Sequence, residues 1–143
     1  MRMHRRWLVS ALALGAACAG RERRVVPIVA TDYAYRTVDT LEAGPVAFTL
    51  DNQGRVAHEL VIGPLRPGAT PAQVRALLAT GAEADSLQDG VAVLLASPGQ
   101  RAFGQLTPEL LPGRTYALIC YVRDGATLPA HSRLGMVAFL HAR

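Results

Sequence analysis

The sequence predicts an all-β domain, an antiparallel sandwich or barrel with one short inserted helix. Three observations predict it: short segments in which large apolar residues alternate with smaller ones, turns containing Pro or Gly between them, and a single segment with helix start signals. Repeated short strands with such turns are typical of β-sandwiches. About 125 residues remain after an N-terminal leader, a size at which one core is self-sufficient. We therefore expect a single domain.

Residues 1–19 are predicted to be a secretory signal peptide. Met1–Arg6 carries three arginines, and Trp7–Ala17 is an apolar run that ends in small residues. An apolar run of roughly ten residues is too short to span a bilayer, which takes about twenty. The chain is therefore expected to be exported, with residues 20–26 as a tether and residues 27–143 as the folded domain.

Two interpretations of the cleavage site stay open. The small residues before Cys18 resemble a lipobox, in which case Cys18 becomes the lipidated first residue of a bacterial lipoprotein. Gly15 stands where that motif usually has Leu. Cleavage after Ala19, at an A-x-A-like site, would instead release a soluble protein. The location is accordingly periplasmic or at the cell surface, with or without a lipid anchor.

The charge pattern excludes a nucleic-acid partner. The whole chain has a formal net charge of +4, and all of its basic residues are arginine. Three of the 15 arginines lie in the leader, which leaves 12 against 11 acidic residues. The later arginines form no run and do not interleave with aromatic residues, as a nucleic-acid surface requires. We expect a monomer that contacts a membrane only through a lipid at Cys18.

Strand signals recur along the chain. Val25–Tyr35 is rich in β-branched and aromatic residues, and Val46–Leu50 has the period of two that marks a half-buried strand. After the turn at Asp51–Gly54, the strand at Ala57–Ile62 places His58 on the face that it shares with Leu60 and Ile62. Further strands are predicted at Val91–Leu95, Arg101–Leu106, Thr115–Tyr121 and Met136–Leu140.

One helix is predicted after Thr70. The segment Thr70-Pro71-Ala72-Gln73 has a capping residue, a proline at the first helical position and a glutamine three residues after the cap. Val74, Leu77 and Leu78 share one side at helical spacing. Gly81 is suited to end the helix.

Cysteine usage gives the first indication of chemistry. The chain has two cysteines, and Cys18 is either lipidated or removed with the leader. Cys120 is then alone in a compartment where thiols oxidise. It is buried and inert, paired between chains, or protected by a metal.

Four residues form a candidate metal-ligand set. Cys120 ends a strand, His131 and Met136 follow it, and His58 lies in an earlier strand. Taken singly, each has an ordinary structural interpretation, such as a core cysteine or a core methionine. Together, one thiolate, two imidazoles and one thioether are the ligands of a blue-copper site.

The pattern around these residues resembles that of the cupredoxins, the plastocyanin and azurin family. It comprises Asn52-x-Gly54-x-x-x-His58-Glu59, Pro112-Gly113-x-x-Tyr116-x-x-x-Cys120 and His131-x-x-x-x-Met136. The resemblance implies a Greek-key β-sandwich of about seven or eight strands. It also implies one copper ion that cycles between Cu(I) and Cu(II), with His58, Cys120 and His131 as equatorial ligands and Met136 as the axial ligand.

The segment between Cys120 and His131 departs from the family pattern. It spans residues 121–130, and well-known electron-transfer cupredoxins have a shorter loop there. A longer loop costs little closure entropy, about 0.6 kcal/mol for a doubling of length. It is expected to leave the site looser, more exposed or tuned for metal transfer.

Several functions stay open. The first is an exported electron carrier that is not an enzyme and has another exported redox protein as its partner. The second is periplasmic copper storage, delivery or resistance, with a copper donor or acceptor as the partner. The third is an enzyme in which Cys120 is a nucleophile and His58 or His131 its base, although the chain has no nucleophile-elbow motif. The fourth is a copper-free binding module.

Overall fold

The structure is a computed structural model, and it describes residues 22–143. The predicted leader and Cys18 lie outside the described residues. Nine strands and one helix are present in residues 22–143: β1 (Arg24–Thr31), β2 (Ala34–Arg36), β3 (Thr40–Leu41), β4 (Gly44–Asn52), β5 (His58–Pro64), α1 (Pro71–Ala79), β6 (Ala92–Ala96), β7 (Glu109–Leu110), β8 (Thr115–Ile119) and β9 (Val137–Ala142). Short 3₁₀ helices lie at Asp85–Leu87 and His131–Leu134.

The strands form the two sheets of a β-sandwich, as the sequence predicts. The first sheet has the order β2-β1-β4-β7, and the second has the order β3-β9-β8-β5-β6. The chain crosses repeatedly between the sheets, since β3 lies in the second sheet whereas β2 and β4 lie in the first. The core between the sheets therefore receives side chains from strands that are distant in sequence.

The expectation of a purely antiparallel sheet is wrong for two strand pairs. β1 pairs with β4 in parallel, and β3 pairs with β9 in parallel. The chain leaves the first sheet to form β3 before β4 returns beside β1. A strand that returns by such a crossover can run in the same direction as its neighbour, which a short hairpin cannot achieve.

The main core lies between the sheets. The first sheet contributes Ile28, Phe48 and Leu50, all fully buried, and the second contributes Leu60 and others. Burial of a large apolar side chain stabilises a fold by roughly 1.5–3 kcal/mol. Cys120 and Met136 belong to this same cluster, so two of the four candidate ligands lie within a close-packed region.

Helix α1 covers the outer face of the second sheet. Val74 and Leu78 are buried there against Ala117 and Ile119 of β8. The predicted capping box at Thr70 is confirmed: its hydroxyl accepts from the Gln73 backbone N–H, and the Gln73 side chain accepts from the Thr70 N–H. Strand β8 is therefore buried on both faces.

Three predicted segments differ most from the structure, whereas the other strands shift by one to two residues at their ends. β1 begins at Arg24, inside the segment 20–26 predicted as a tether, and the predicted strand Val25–Tyr35 is divided by a turn before β2. The predicted strand Arg101–Leu106 is wrong. Only its two end residues form isolated bridges, to Asp51 and Phe48. Gly104, at φ 85°, turns the chain away from the sheet between them.

Among residues 22–143, no helix has both the length and the apolar character needed to cross a membrane.

Candidate metal centre

Two of the predicted ligands lie at the same end of the second sheet. His58 is the first residue of β5, and Cys120 directly follows β8. These strands are antiparallel neighbours, with Val61 opposite Ile119. The start of one strand therefore lies beside the end of the other, which brings residues 62 positions apart in sequence into contact.

A backbone network holds His131 against the end of β8. The His131 N–H donates to the Val122 carbonyl at 2.9 Å, and the Ser132 N–H donates to the Cys120 carbonyl at 2.8 Å. The Met136 N–H then donates to the His131 carbonyl at 3.0 Å. The turn at 131–134 is thus fixed to the residues that directly follow β8.

Three donor atoms converge. The Nδ1 atoms of His58 and His131 are 3.1 Å apart, and the Cys120 Sγ lies 3.9 Å from the first and 3.4 Å from the second. All three side chains are fully buried. In the plane of these three atoms, the point equidistant from them lies about 2.0 Å from each. Metals bind imidazole nitrogen and thiolate sulfur at roughly 2.0–2.3 Å.

The remaining nitrogen of each imidazole meets a carboxylate. His58 Nε2 lies 3.1 Å from Asp32 Oδ1, and His131 Nε2 lies 2.9 Å from Asp124 Oδ1. An ionised carboxylate only accepts hydrogen bonds. Each Nε2 therefore carries the proton and donates it, which leaves both Nδ1 lone pairs pointing at the shared centre.

Two loops supply these carboxylates. Asp32 lies between β1 and β2, where its side chain also accepts from the Arg55 backbone N–H at 3.0 Å. Asp124 lies in the segment 121–130 and accepts from the Tyr33 hydroxyl at 2.6 Å. The Tyr33 ring packs edge-on against His131, with centroids 4.7 Å apart. The two loops close over the imidazoles.

The turn before β5 requires glycine at position 54. The Asn52 side chain organises this turn, since its amide donates to the Val56 carbonyl and its Oδ1 accepts from the Gly54 N–H. A Cβ at Gly54 would clash with Asp32 Oδ1 and lie only 2.9 Å from His58 Nε2. The glycine in the Asn52-x-Gly54 motif thus makes room for the Asp32–His58 hydrogen bond.

Burial sets the protonation of the donors. It raises the pKa of the Cys120 thiol to about 11, and it lowers the pKa of His58 below its ordinary value. The Tyr33 hydrogen bond is the main cause that lowers the pKa of Asp124. Desolvation acts to raise the pKa of Asp32, but the hydrogen bonds to His58 and Arg55 outweigh it and the pKa is lowered. At neutral pH both carboxylates are ionised, and the thiol stays protonated unless a cation binds to the sulfur and displaces the proton.

The donor set fits one copper ion. Two imidazole lone pairs 3.1 Å apart repel each other unless a proton or a cation lies between them. One thiolate and two imidazoles in this arrangement match the equatorial set of a blue-copper site. The cysteine sulfur also lies 3.5 Å from the Glu59 N–H, a donor that stabilises a thiolate. Soft sulfur disfavours Mg²⁺ and Ca²⁺.

Met136 is buried in the core cluster that contains Cys120. Its backbone carbonyl accepts from the Cys120 N–H at 3.3 Å, and its N–H bonds to His131. The segment that carries Met136 is therefore fixed at the centre. The axial role of its sulfur stays a prediction.

Comparison with solved structures shows that the chain has the cupredoxin fold. An auracyanin from Roseiflexus castenholzii is 20% identical, with a TM-score of 0.53 over 87% of this chain and 99% of that chain. Auracyanin B is 22% identical, with a TM-score of 0.55 over 84% and 88%. Auracyanin A from Chloroflexus aurantiacus, described as a "blue" copper protein, is 19% identical, with a TM-score of 0.52 over 85% and 100%. No protein-family model and no curated protein matches the sequence.

The structure corrects one expectation about the segment 121–130. The longer loop does not leave the centre exposed, because its Asp124 lies over His131, and the three converging side chains are fully buried. Sequence reasoning missed Asp32, Tyr33 and Asp124 as parts of the site. Aspartate and tyrosine are common in turns, and only the fold brings these turns to the imidazoles. For Asp124 the sequence does carry a local signal, because the Asp124-Gly125 pair indicates a turn within the longer loop.

Proposed function

We propose that this protein binds one copper ion as a blue-copper centre through His58, Cys120, His131 and Met136, and that it carries electrons outside the cytoplasm. One observation carries the proposal: three buried soft or borderline donors converge on a single point, and each histidine is held by its second nitrogen. The proposed partner is another exported redox protein.

Bound copper supplies a one-electron couple, Cu(II)/Cu(I). The protein's own residues would hold the surroundings of the ion nearly unchanged between the two states. Hydrogen bonds to Asp32 and Asp124 fix the orientation of both imidazoles, and the close-packed core around Cys120 resists movement. Burial excludes water from the donors. A centre that does not rearrange when it gains or loses an electron favours fast transfer.

The geometry supports an electron carrier over the alternatives. Copper delivery needs a ligand that another protein can reach, and the three converging side chains are fully buried. A nucleophilic cysteine needs an exposed thiol of lowered pKa, whereas burial raises the pKa of Cys120 to about 11. Export rests on the N-terminal sequence alone.

The decisive test is the visible absorption spectrum after one equivalent of Cu(II) is added to the purified mature protein. We expect an intense thiolate-to-copper charge-transfer band that disappears in Cys120→Ala. His141→Ala is the matched control, because His141 is exposed and should leave the band intact. A wild-type protein without the band, in which Cys120 titrates as a free thiol, would contradict the proposal.

A further inference from the structure

Both imidazoles of the candidate centre face a negative charge on the side away from the metal position. Asp32 and Asp124 lie 3.1 and 2.9 Å from the two Nε2 atoms. Their side chains are only 18% and 24% exposed, so solvent screens these charges less than it screens a free surface carboxylate. The two carboxylates come from separate loops, yet they make the same contact.

The surroundings of each carboxylate keep it in place. Asp32 is held by the Arg55 backbone N–H and side chain, at 3.0 and 3.2 Å. The Tyr33 hydroxyl holds the second oxygen of Asp124 at 2.6 Å, leaving the first oxygen for His131. Each carboxylate thus has one partner that anchors it and one imidazole that it orients.

A carboxylate hydrogen-bonded to an imidazole N–H makes the opposite nitrogen a stronger donor. Its negative charge also favours a more highly charged ion at the centre. At Asp32 the exposed Arg55 guanidinium, 3.2 Å away, offsets part of this charge. Both effects stabilise Cu(II) more than Cu(I). Reduction of the bound ion would therefore be harder than in a centre whose histidines face neutral groups.

We propose that Asp32 and Asp124 are positioning residues that hold the two imidazoles in place and bias the centre toward Cu(II), so that they set a low reduction potential. This inference rests on the proposed copper function. It assigns the segment 121–130 a role beyond connecting Cys120 to His131, because that segment brings the second carboxylate to the site.

The test uses Asp32→Asn and Asp124→Asn in the mature copper-loaded protein. An amide oxygen still accepts the hydrogen bond from Nε2, so both variants remove the charge and can keep the contact to the imidazole. In Asp32→Asn the amide nitrogen replaces the oxygen that accepts from the Arg55 side chain, so that one hydrogen bond is lost. We expect each variant to lower the ratio of Cu(II) to Cu(I) affinity about tenfold, which corresponds to a rise in potential of about 59 mV for a one-electron couple. The double variant should change the ratio about a hundredfold if the two charges act independently.

Asp89→Asn is the matched control, since this exposed carboxylate pairs with Arg114 rather than with a histidine. It should change the ratio less than twofold. An unchanged ratio in both site variants, with the blue band intact, would overturn the inference and leave the proposed function standing. A wild-type chain without the blue band would overturn both.

A second readout does not depend on copper redox chemistry. In the protein loaded with Zn²⁺, which accepts the same nitrogen and sulfur donors, nitrogen-15 spectra should place the ring proton of both histidines on Nε2. A proton on Nδ1 of either ring would contradict the assigned orientation. This readout tests the positioning role of the two carboxylates even if an asparagine variant fails to fold.

Discussion

At Gly54 the backbone passes so close to Asp32 and His58 that there is no room for a side chain. The missing side chain lets the Asp32 carboxylate reach His58 across the turn that Asn52 closes. Asp32 is in turn held by Arg55, so it has little freedom to move aside. A small residue in a turn thus decides whether a candidate metal ligand keeps its orientation.

We expect Gly54→Ala to displace Asp32 from His58. The added methyl group should lower copper affinity by about 10- to 100-fold, the usual cost of losing such an outer contact. It should also lower the free energy of unfolding by about 1–3 kcal/mol, because the site is close-packed. Competition against a copper chelator and denaturant unfolding measure the two effects.

Gly125→Ala is the control for this substitution. A Cβ at Gly125 would meet only Leu128, at an ordinary van der Waals distance of 3.5 Å. This variant should bind copper as the wild type does. Equal losses in the two variants would mean that loop flexibility, rather than the Asp32 contact, governs affinity.

The candidate ligands could be predicted from sequence because of their chemistry. Cysteine, histidine and methionine are few in this chain, and their order along it resembles a known pattern. The carboxylates could not be predicted in this way. Asp32 falls inside a segment that looks like one continuous strand, and nothing local indicates that a turn at Asp32 reaches His58, 26 positions away.

At the scale of elements, α1 and Cys120 lie on opposite sides of β8. The helix packs on the outer face of the second sheet, whereas Cys120 packs in the core between the sheets. The helix also contacts the turn at 131–134 that carries His131. We expect α1 to contribute mainly to stability and to affect ligation only through that turn.

Leu78→Ala tests this expectation. Removing a fully buried leucine should lower the free energy of unfolding by about 2–5 kcal/mol and leave the copper absorption band unchanged. Leu77→Ala should cost less, since Leu77 is only half-buried. Loss of the band in a folded Leu78→Ala protein would show that the helix supports the site directly.

Short elements account for most of the differences between the predicted and the observed secondary structure. The strong signals at Thr70 and along β4 and β5 predict those elements well, because caps and alternation are local properties. β3 has only two residues and pairs with residues of β9 that lie just over a hundred positions later. No local pattern indicates such a pairing. The Arg101–Leu106 segment has a strand-like composition, but its glycine turns it away from the sheet.

At the scale of the whole molecule, the proposed role depends on export. The leader prediction rests on residues 1–19, which lie outside the described residues. Mass spectrometry of the mature N-terminus, after expression of the full chain in a bacterium, would test it. A lipid on Cys18 would establish the anchored form, and a chain that starts at Gly20 would establish the soluble form. A chain that retains Met1 would contradict the signal peptide.

The placement of His58 and Cys120 on neighbouring strands has a consequence for how the protein matures. Side chains alternate between the faces of a strand, so a slip of one residue between β5 and β8 would turn His58 away from Cys120. A misaligned sheet would then present only part of the donor set and hold copper weakly. Copper retention would thus distinguish chains whose β5 and β8 strands are correctly aligned from chains in which they are not.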